Sequence, residues 1–199
     1  ATDPSVRLII PPMGDIGPEY LAATVRRIGI QAEALPVADR EVMRFGRNAT
    51  SCKECMPMLI CIGSLLRYLN HRPPERWNEK LMILIPQAAG YCRLGQYAVY
   101  TRQYIRSHNI PDVAVLNLGM EEGFGGLGPN FAVNAWKSIV VTDVLDDIAV
   151  ALRALAVDRD EALEVLNRET ELIRNRIEHG NSRSLYSRLR KSAAVLRQI

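Results

Sequence analysis

Four cysteines carry most of the chemistry this chain can offer. Cys52 and Cys55 form a C-x-x-C pair, Cys61 follows within one predicted helix, and Cys92 lies far downstream. Four are few for a disulfide scaffold, and 199 residues bury enough core to fold without one. In a cytosolic chain such spacing favours metal or redox chemistry over structural bridges. Thiolates are soft ligands that select iron–sulfur clusters, zinc or copper(I) over hard ions.

The surroundings of three of these cysteines suit an anionic inorganic group. Cys55 precedes Pro57 at a predicted helix start, where backbone N–H groups and the helix dipole favour negative charge and lower a thiol pKa. Cys92 sits in Gly90-Tyr91-Cys92-Arg93-Leu94-Gly95-Gln96, just before another helix start. Gly90 and Gly95 allow close approach of backbone to a bulky group, and Arg93 adds positive charge beside the thiolate. Cys61, among Leu59, Ile60 and Ile62, reads as a helix core residue. A zinc site wants four ligands, and His71, His108 and His179 all stand far from the cysteines in sequence. A thioredoxin-like pair leaves Cys92 without a role. An iron–sulfur cluster on Cys52, Cys55 and Cys92 is therefore the favoured reading.

The elements that must position these residues follow from apolar periodicity. Short apolar runs predict strands at Val6 to Ile10, Gln31 to Leu35, Leu81 to Ile85 and Val113 to Leu116. The third, bounded by Lys80 and Pro86, is expected at the centre of a sheet buried on both faces. Helices are predicted over Glu19 to Ile28, Met58 to Asn70 and Gln96 to Ser107, with a single helical turn near Glu41 to Phe45 in an otherwise polar stretch. The alternation predicts an α/β fold, a mostly parallel four-stranded sheet flanked by helices. The rest reads as helix: Ala132 to Leu155, Asp158 to Gly180 and Ser182 to Ile199. The expected division is a cluster-binding α/β domain over residues 1–155 and a helical extension over 156–199. Ligands of open parallel sheets bind beyond the carboxyl ends of the strands. Cys52 and Cys55 follow the second strand and Cys92 follows the third, so one rim is expected to gather all three.

Composition excludes little. Hydrophobic residues make up 48% and charged residues 24%, with a formal net charge of +3, too small to imply a nucleic-acid or membrane partner. No apolar run reaches the length of a membrane span, and no signal peptide is visible; a cytoplasmic location is expected. The start, Ala1-Thr2-Asp3-Pro4, lacks an initiator Met, as expected of a processed chain or a piece of a longer one.

Cys52-Lys53-Glu54-Cys55-Met56-Pro57 and Gly90-Tyr91-Cys92-Arg93-Leu94-Gly95-Gln96-Tyr97 resemble two motifs of a known family, the activase-related proteins of the 2-hydroxyacyl-CoA dehydratase and benzoyl-CoA reductase system. The family patterns are C-x-E-C-x-P and G-P-C-R-F-G-Q-Y. The likeness extends over roughly the first 130 residues, including Pro11-Pro12 and Asn117-Leu118-Gly119. Tyr91 stands in place of the family's Pro and Leu94 in place of its Phe, which affects loop shape and removes no ligand. The resemblance implies a [4Fe-4S] cluster on three cysteines with one open iron, as half of a double-cubane [8Fe-9S] cluster in some relatives. It implies an ATPase (activase) module or subunit as electron donor, a second cluster-binding lobe or subunit, and an acyl-CoA or other small-molecule substrate. Arg93, Gly95 and Gln96 would then line the cofactor and tune its sulfurs. No phosphate-binding loop of the G-x-x-x-x-G-K-[ST] type occurs in the chain.

The expected function is thus the cluster-binding part of an ATP-driven, low-potential reductase or dehydratase activase in an anaerobic cell. The alternatives are a non-catalytic electron relay or regulatory module with a saturated cluster, and a zinc-binding or scaffold domain. Three further features have ordinary explanations. Glu121 and Glu122, in the glycine-rich stretch from Gly119 to Gly128, read as solvated loop carboxylates. Tyr97, Tyr100 and Tyr104 read as a packing stripe, with Tyr97 the best exception. Arg183, Arg188, Arg190, Lys191 and Arg197 read as a solvated basic face.

Overall fold

The structure is a computed structural model that describes residues 3–51, 53–87, 90–119 and 127–198. Its centre is a four-stranded parallel sheet of β1 (Val6–Ile10), β2 (Ala32–Ala34), β3 (Lys80–Pro86) and β4 (Val113–Leu118), in the order β2-β1-β3-β4. Leu8 lies opposite Ala32 and Met82, and Ile83 lies opposite Ile9 and Val115. The two middle strands alternate apolar residues to both faces. Ile9, Leu81, Ile83 and Ile85 face one core, and Leu8, Ile10 and Leu84 face the other. Burial on both faces explains their continuous apolar runs.

Helices cover both faces. On the first lie α3 (Met56–Asn70) and α4 (Leu94–Ser107), through Met58, Ile62, Leu65, Tyr97 and Ile105. On the second lie α1 (Gly17–Arg26) and α5 (Pro129–Leu155), through Ala22, Val25, Phe131 and Ala135. Outside them, α6 (Arg159–His179) and α7 (Ser182–Leu196) form a third layer. Tyr20 and Ala23 of α1 and Leu145 and Ala149 of α5 pack there against Leu166, Ile173, Ile177 and Leu185. The Tyr20 hydroxyl donates to the Thr170 carbonyl at 2.7 Å, and Arg26 pairs with Glu178 at 2.8 Å. Asp158 caps α6 by accepting from the Glu161 N–H at 3.0 Å, and an Asn181–Ser184 capping box opens α7.

Two elements differ from the sequence reading. The single turn expected near Glu41 to Phe45 is a full helix, α2 (Arg40–Ala49), capped by Asp39 through the Val42 N–H at 2.9 Å. A short 3₁₀ helix, Pro74–Arg76, precedes β3. The α2 helix hides from periodicity because it buries only Val42, Gly46 and Ala49. It packs antiparallel on α3 at a distance that only glycine permits. A Cβ on Gly46 would stand 2.2 Å from the Leu59 carbonyl oxygen, and one on Gly63 would stand 2.2 Å from that of Val42.

Among the described residues no helix is long and apolar enough to cross a membrane. The glycine-rich segment 120–126, with Glu121 and Glu122, lies outside the described residues, as does Cys52. Gly119 is described, and a Cβ there would lie 3.4 Å from that of Gln87, so Gly119 adjoins the end of β3.

Candidate functional site

The α2–α3 pair explains how residues after β2 return to the carboxyl rim of the sheet. Asp39, at the start of α2, pairs with Arg67 near the end of α3 at 3.3 Å, so α2 climbs where α3 descends. The end of α2 and Cys55 at the start of α3 therefore sit together at the top, beside Arg93 at the start of α4.

Three contacts join this end of the α2–α3 pair to the start of α4. The Cys55 Sγ and the Tyr97 hydroxyl are hydrogen-bonded at 2.6 Å. Arg93 Nη1 donates to the Lys53 carbonyl at 3.4 Å. The Tyr100 hydroxyl donates to the Ala49 carbonyl, anchoring the end of α2 to α4. Within the first loop, Glu54 folds back on its own turn. It accepts from the Ser51 hydroxyl at 2.9 Å, from the Ser51 N–H at 3.4 Å and from the Lys53 N–H at 3.0 Å. Burial opposes its charge, but its own backbone N–H and these donors outweigh that and hold the carboxyl below its usual range. The Glu54 carboxylate is thus committed to shaping the C-x-x-C turn.

The thiols sit in different surroundings. Cys55 is half-buried, Cys61 buried and Cys92 exposed. All three act on one phenol. Burial pushes the Tyr97 hydroxyl pKa well up, and the bond to Cys55 and then the nearby cysteines push it further.

The electrostatics favour an anion. Cys55 is the N-cap of α3 and Arg93 the N-cap of α4; neither makes a side-chain cap bond, and neither helix has an acid in its first turn. Two sets of first-turn N–H groups thus face this rim without an internal carboxylate to neutralise them. Gly95 and Gln96 lie in that first turn of α4, with Gln96 exposed. Gly90 adopts φ +104°, a left-handed conformation suited to glycine, with open space where a Cβ would stand.

Of the expected ligands, Cys55 is half-buried at the start of α3 and Cys92 is exposed just before α4, and Cys52 lies outside the described residues. No group of three His, Cys, Asp or Glu side chains at metal-holding distances occurs among the described residues. The donors that are present fit a thiophilic cluster: thiols, uncapped helix starts and an arginine. The histidines are engaged elsewhere, His71 with Glu41 at 3.2 Å, His108 stacked on Tyr104 at 3.9 Å and His179 with Glu178 at 3.6 Å. An apolar cavity of about 520 Å³ lies between the sheet, α1 and α5, with Leu84, Leu116 and Phe131 in its wall; this is the face opposite Met58 and Tyr97.

Cys61 belongs to the core, as its sequence neighbours suggest. Burial, and then the nearby Cys55, pushes its thiol up to about 12 from an ordinary 9.0. The folded state therefore holds the proton that the unfolded state would release. Stability from this group is intact below about pH 9 and is lost above it, by about 1.4 kcal/mol per pH unit until the folded pKa is reached. Reactivity follows the thiolate. Iodoacetamide at pH 8 is expected to label Cys92 in the metal-free native protein and to spare Cys61 until denaturant is added, as read by mass spectrometry. Rapid native labelling of Cys61 would contradict this placement.

Sequence reasoning assigned no role to Glu54, left Tyr100 in a packing stripe and singled out Tyr97 as the best exception to that stripe. A signal for Glu54 existed, because a carboxylate three residues after a serine in a short loop often folds back on the backbone. No protein-family model, curated protein or solved structure matches this chain.

Proposed function

We propose that this protein is an iron–sulfur component of an ATP-driven, low-potential electron-transfer system, with Cys52, Cys55 and Cys92 as the protein ligands of a [4Fe-4S] cluster. One observation carries the reading: two loops 40 residues apart in sequence, each bearing cysteine at an uncapped helix start, are tied together by Cys55–Tyr97 and Arg93–Lys53. A structural cysteine needs no such convergence, whereas a cluster held from two loops does. The motifs around Cys52 to Pro57 and Gly90 to Tyr97 point the same way, through their resemblance to the 2-hydroxyacyl-CoA dehydratase and benzoyl-CoA reductase system.

When bound, the cluster would supply one-electron chemistry at low potential. The chain's own residues would hold and shield it. Arg93 would balance the charge of the sulfurs, Gly95 would allow backbone to approach them, and the Gln96 side chain would border the open side. Three protein ligands would leave one iron free for substrate, a solvent ligand or a sulfide bridge to a second cluster in a double-cubane arrangement. The partners on this reading are an ATPase module or subunit that delivers the electron, a second cluster-binding lobe or subunit, and an acyl-CoA or other small acceptor.

Protein prepared without oxygen is expected to be brown, to hold about four irons and four sulfides per chain, and to give a cluster EPR signal on dithionite reduction. Cys92→Ala should lose most of that iron while keeping its circular dichroism. Colourless protein, zinc in place of iron, or a Cys92→Ala variant with unchanged iron and spectrum would each end the proposal.

A further inference from the structure

We infer that Tyr97 is a positioning residue for the metal-binding sulfur of Cys55, and that its phenol donates a hydrogen bond which raises the reduction potential of the cluster. The inference rests on the cluster reading above and goes beyond it, because it assigns a function to a group that is not a ligand.

The geometry is specific. Tyr97 lies in the second turn of α4, is 5% exposed, and is fixed in the core that includes Met58, Cys61 and Ala98. Only its hydroxyl reaches the rim, where it meets Cys55 Sγ at 2.6 Å. With a free thiol either atom can donate. A metal-bound thiolate has no proton and only accepts, so metal binding fixes the phenol as donor. A phenol carries its proton at neutral pH and can donate it in a hydrogen bond. Its ring is already held by packing, so the bond needs little further ordering of the side chain. The nearby Cys61 thiol is buried and keeps its proton too.

The direction follows from charge. A hydrogen bond to a cluster sulfur withdraws electron density and stabilises the reduced, more negative state more than the oxidised one. Removing the bond should make reduction harder. The uncapped starts of α3 and α4 act in the same sense, but they are unaffected by a change at Tyr97, so the phenol's share can be isolated.

The test uses anaerobically prepared full chain and an EPR-monitored redox titration with dithionite and mediators. Tyr97→Phe keeps the ring and removes the hydroxyl. It is expected to retain iron and sulfide at the level of the parent and to show a more negative potential. After exchange into D₂O, pulsed EPR should lose the deuteron coupling contributed by this hydrogen bond. A merely structural role for the ring would move neither readout. Should Tyr97→Phe lose iron, site-specific replacement of Tyr97 by 3-fluorotyrosine retains both ring and hydroxyl and makes a stronger donor; its potential should shift in the positive direction. Unchanged potential and coupling in an iron-containing Tyr97→Phe, or an unmoved potential in the fluorinated protein, overturns the inference and leaves the cluster reading standing. Absence of iron from the parent chain overturns the cluster reading itself, and this inference with it.

Discussion

Gly63→Ala should destabilise the protein by about 2–3 kcal/mol and loosen the start of α3 at Cys55. A Cβ at Gly63 would lie 2.2 Å from the Val42 carbonyl oxygen and 2.8 Å from the Gly46 nitrogen. Both are backbone atoms of α2, so no side chain can rotate away and the two helices must separate. Ordinarily alanine gains roughly 1 kcal/mol over glycine inside a helix, and here that gain is overwhelmed by the clash. Gly46→Ala meets the same obstacle from the other side, 2.2 Å from the Leu59 carbonyl oxygen. The two substitutions wedge one crossing, so their combined cost should fall short of the sum. Urea denaturation measures the loss, and a melting temperature lower by about 5–10 °C is expected for a chain of this size. The functional consequence is a second readout. A less stable fold opens more often, so native-state alkylation of the buried Cys61 should accelerate. A Gly63→Ala protein as stable as the parent would mean that α2 does not sit on α3 at this distance.

That crossing also shows where sequence reading stops. The strands were legible because Leu81 to Ile85 is apolar at every position, which a two-faced central strand requires. The contact between Lys53 and Arg93 was foreseeable for a topological reason: parallel strands deliver successive connections to one rim, and these residues follow different strands. The α2 helix was legible only as a single turn near Glu41 to Phe45. Its contact is made by glycine and alanine, whose contribution is closeness of backbones, and hydrophobic periodicity does not register closeness. The α5 helix shows the converse. Phe131, Ala135, Ser138, Thr142 and Leu145 form its buried line, yet Val133, Trp136, Val140 and Val144 lie exposed on the other side, so its apolar stripe is blurred.

Side-chain reach was the other limit. The bond from Tyr97 to Cys55 crosses 42 positions and depends on how α4 is rotated about its axis, which spacing alone leaves open. Arg188 is a similar case. It was grouped with Arg183, Arg190, Lys191 and Arg197 as a solvated basic face, but it turns inward to Glu169. The clue lay in the other helix. Glu169 interrupts the buried line Ala162, Leu166, Ile173, Ile177 of α6, and a carboxylate in such a line needs a partner.

Glu169→Ala should therefore be among the most damaging single changes away from the cysteine rim, costing about 3–5 kcal/mol. Glu169 is 4% exposed and accepts from Arg188 Nη2 and from the Ser192 hydroxyl, both at 2.7 Å; Arg188 Nε also donates to Ser192 at 3.1 Å. Truncation leaves a largely buried guanidinium and a buried hydroxyl without their acceptor, and it opens a void between α6 and α7. Glu169→Gln should cost less, because the amide oxygen can still accept one of the bonds while the charge is lost. The informative variant replaces both ends of the pair. Glu169→Leu with Arg188→Leu removes the desolvation cost of both charges along with their attraction, and should recover much of the stability lost in Glu169→Ala. The pair's contribution would then be the register of α7 against α6, because leucines tolerate sliding that a two-point hydrogen bond does not. Urea denaturation of the four proteins gives the energies, and hydrogen exchange along α7 reports the register. A Glu169→Ala protein within about 1 kcal/mol of the parent would place this pair in the range of a solvent-exposed ion pair, and the third layer of helices would then owe its position to Leu166, Ile173, Ile177 and Leu185 alone.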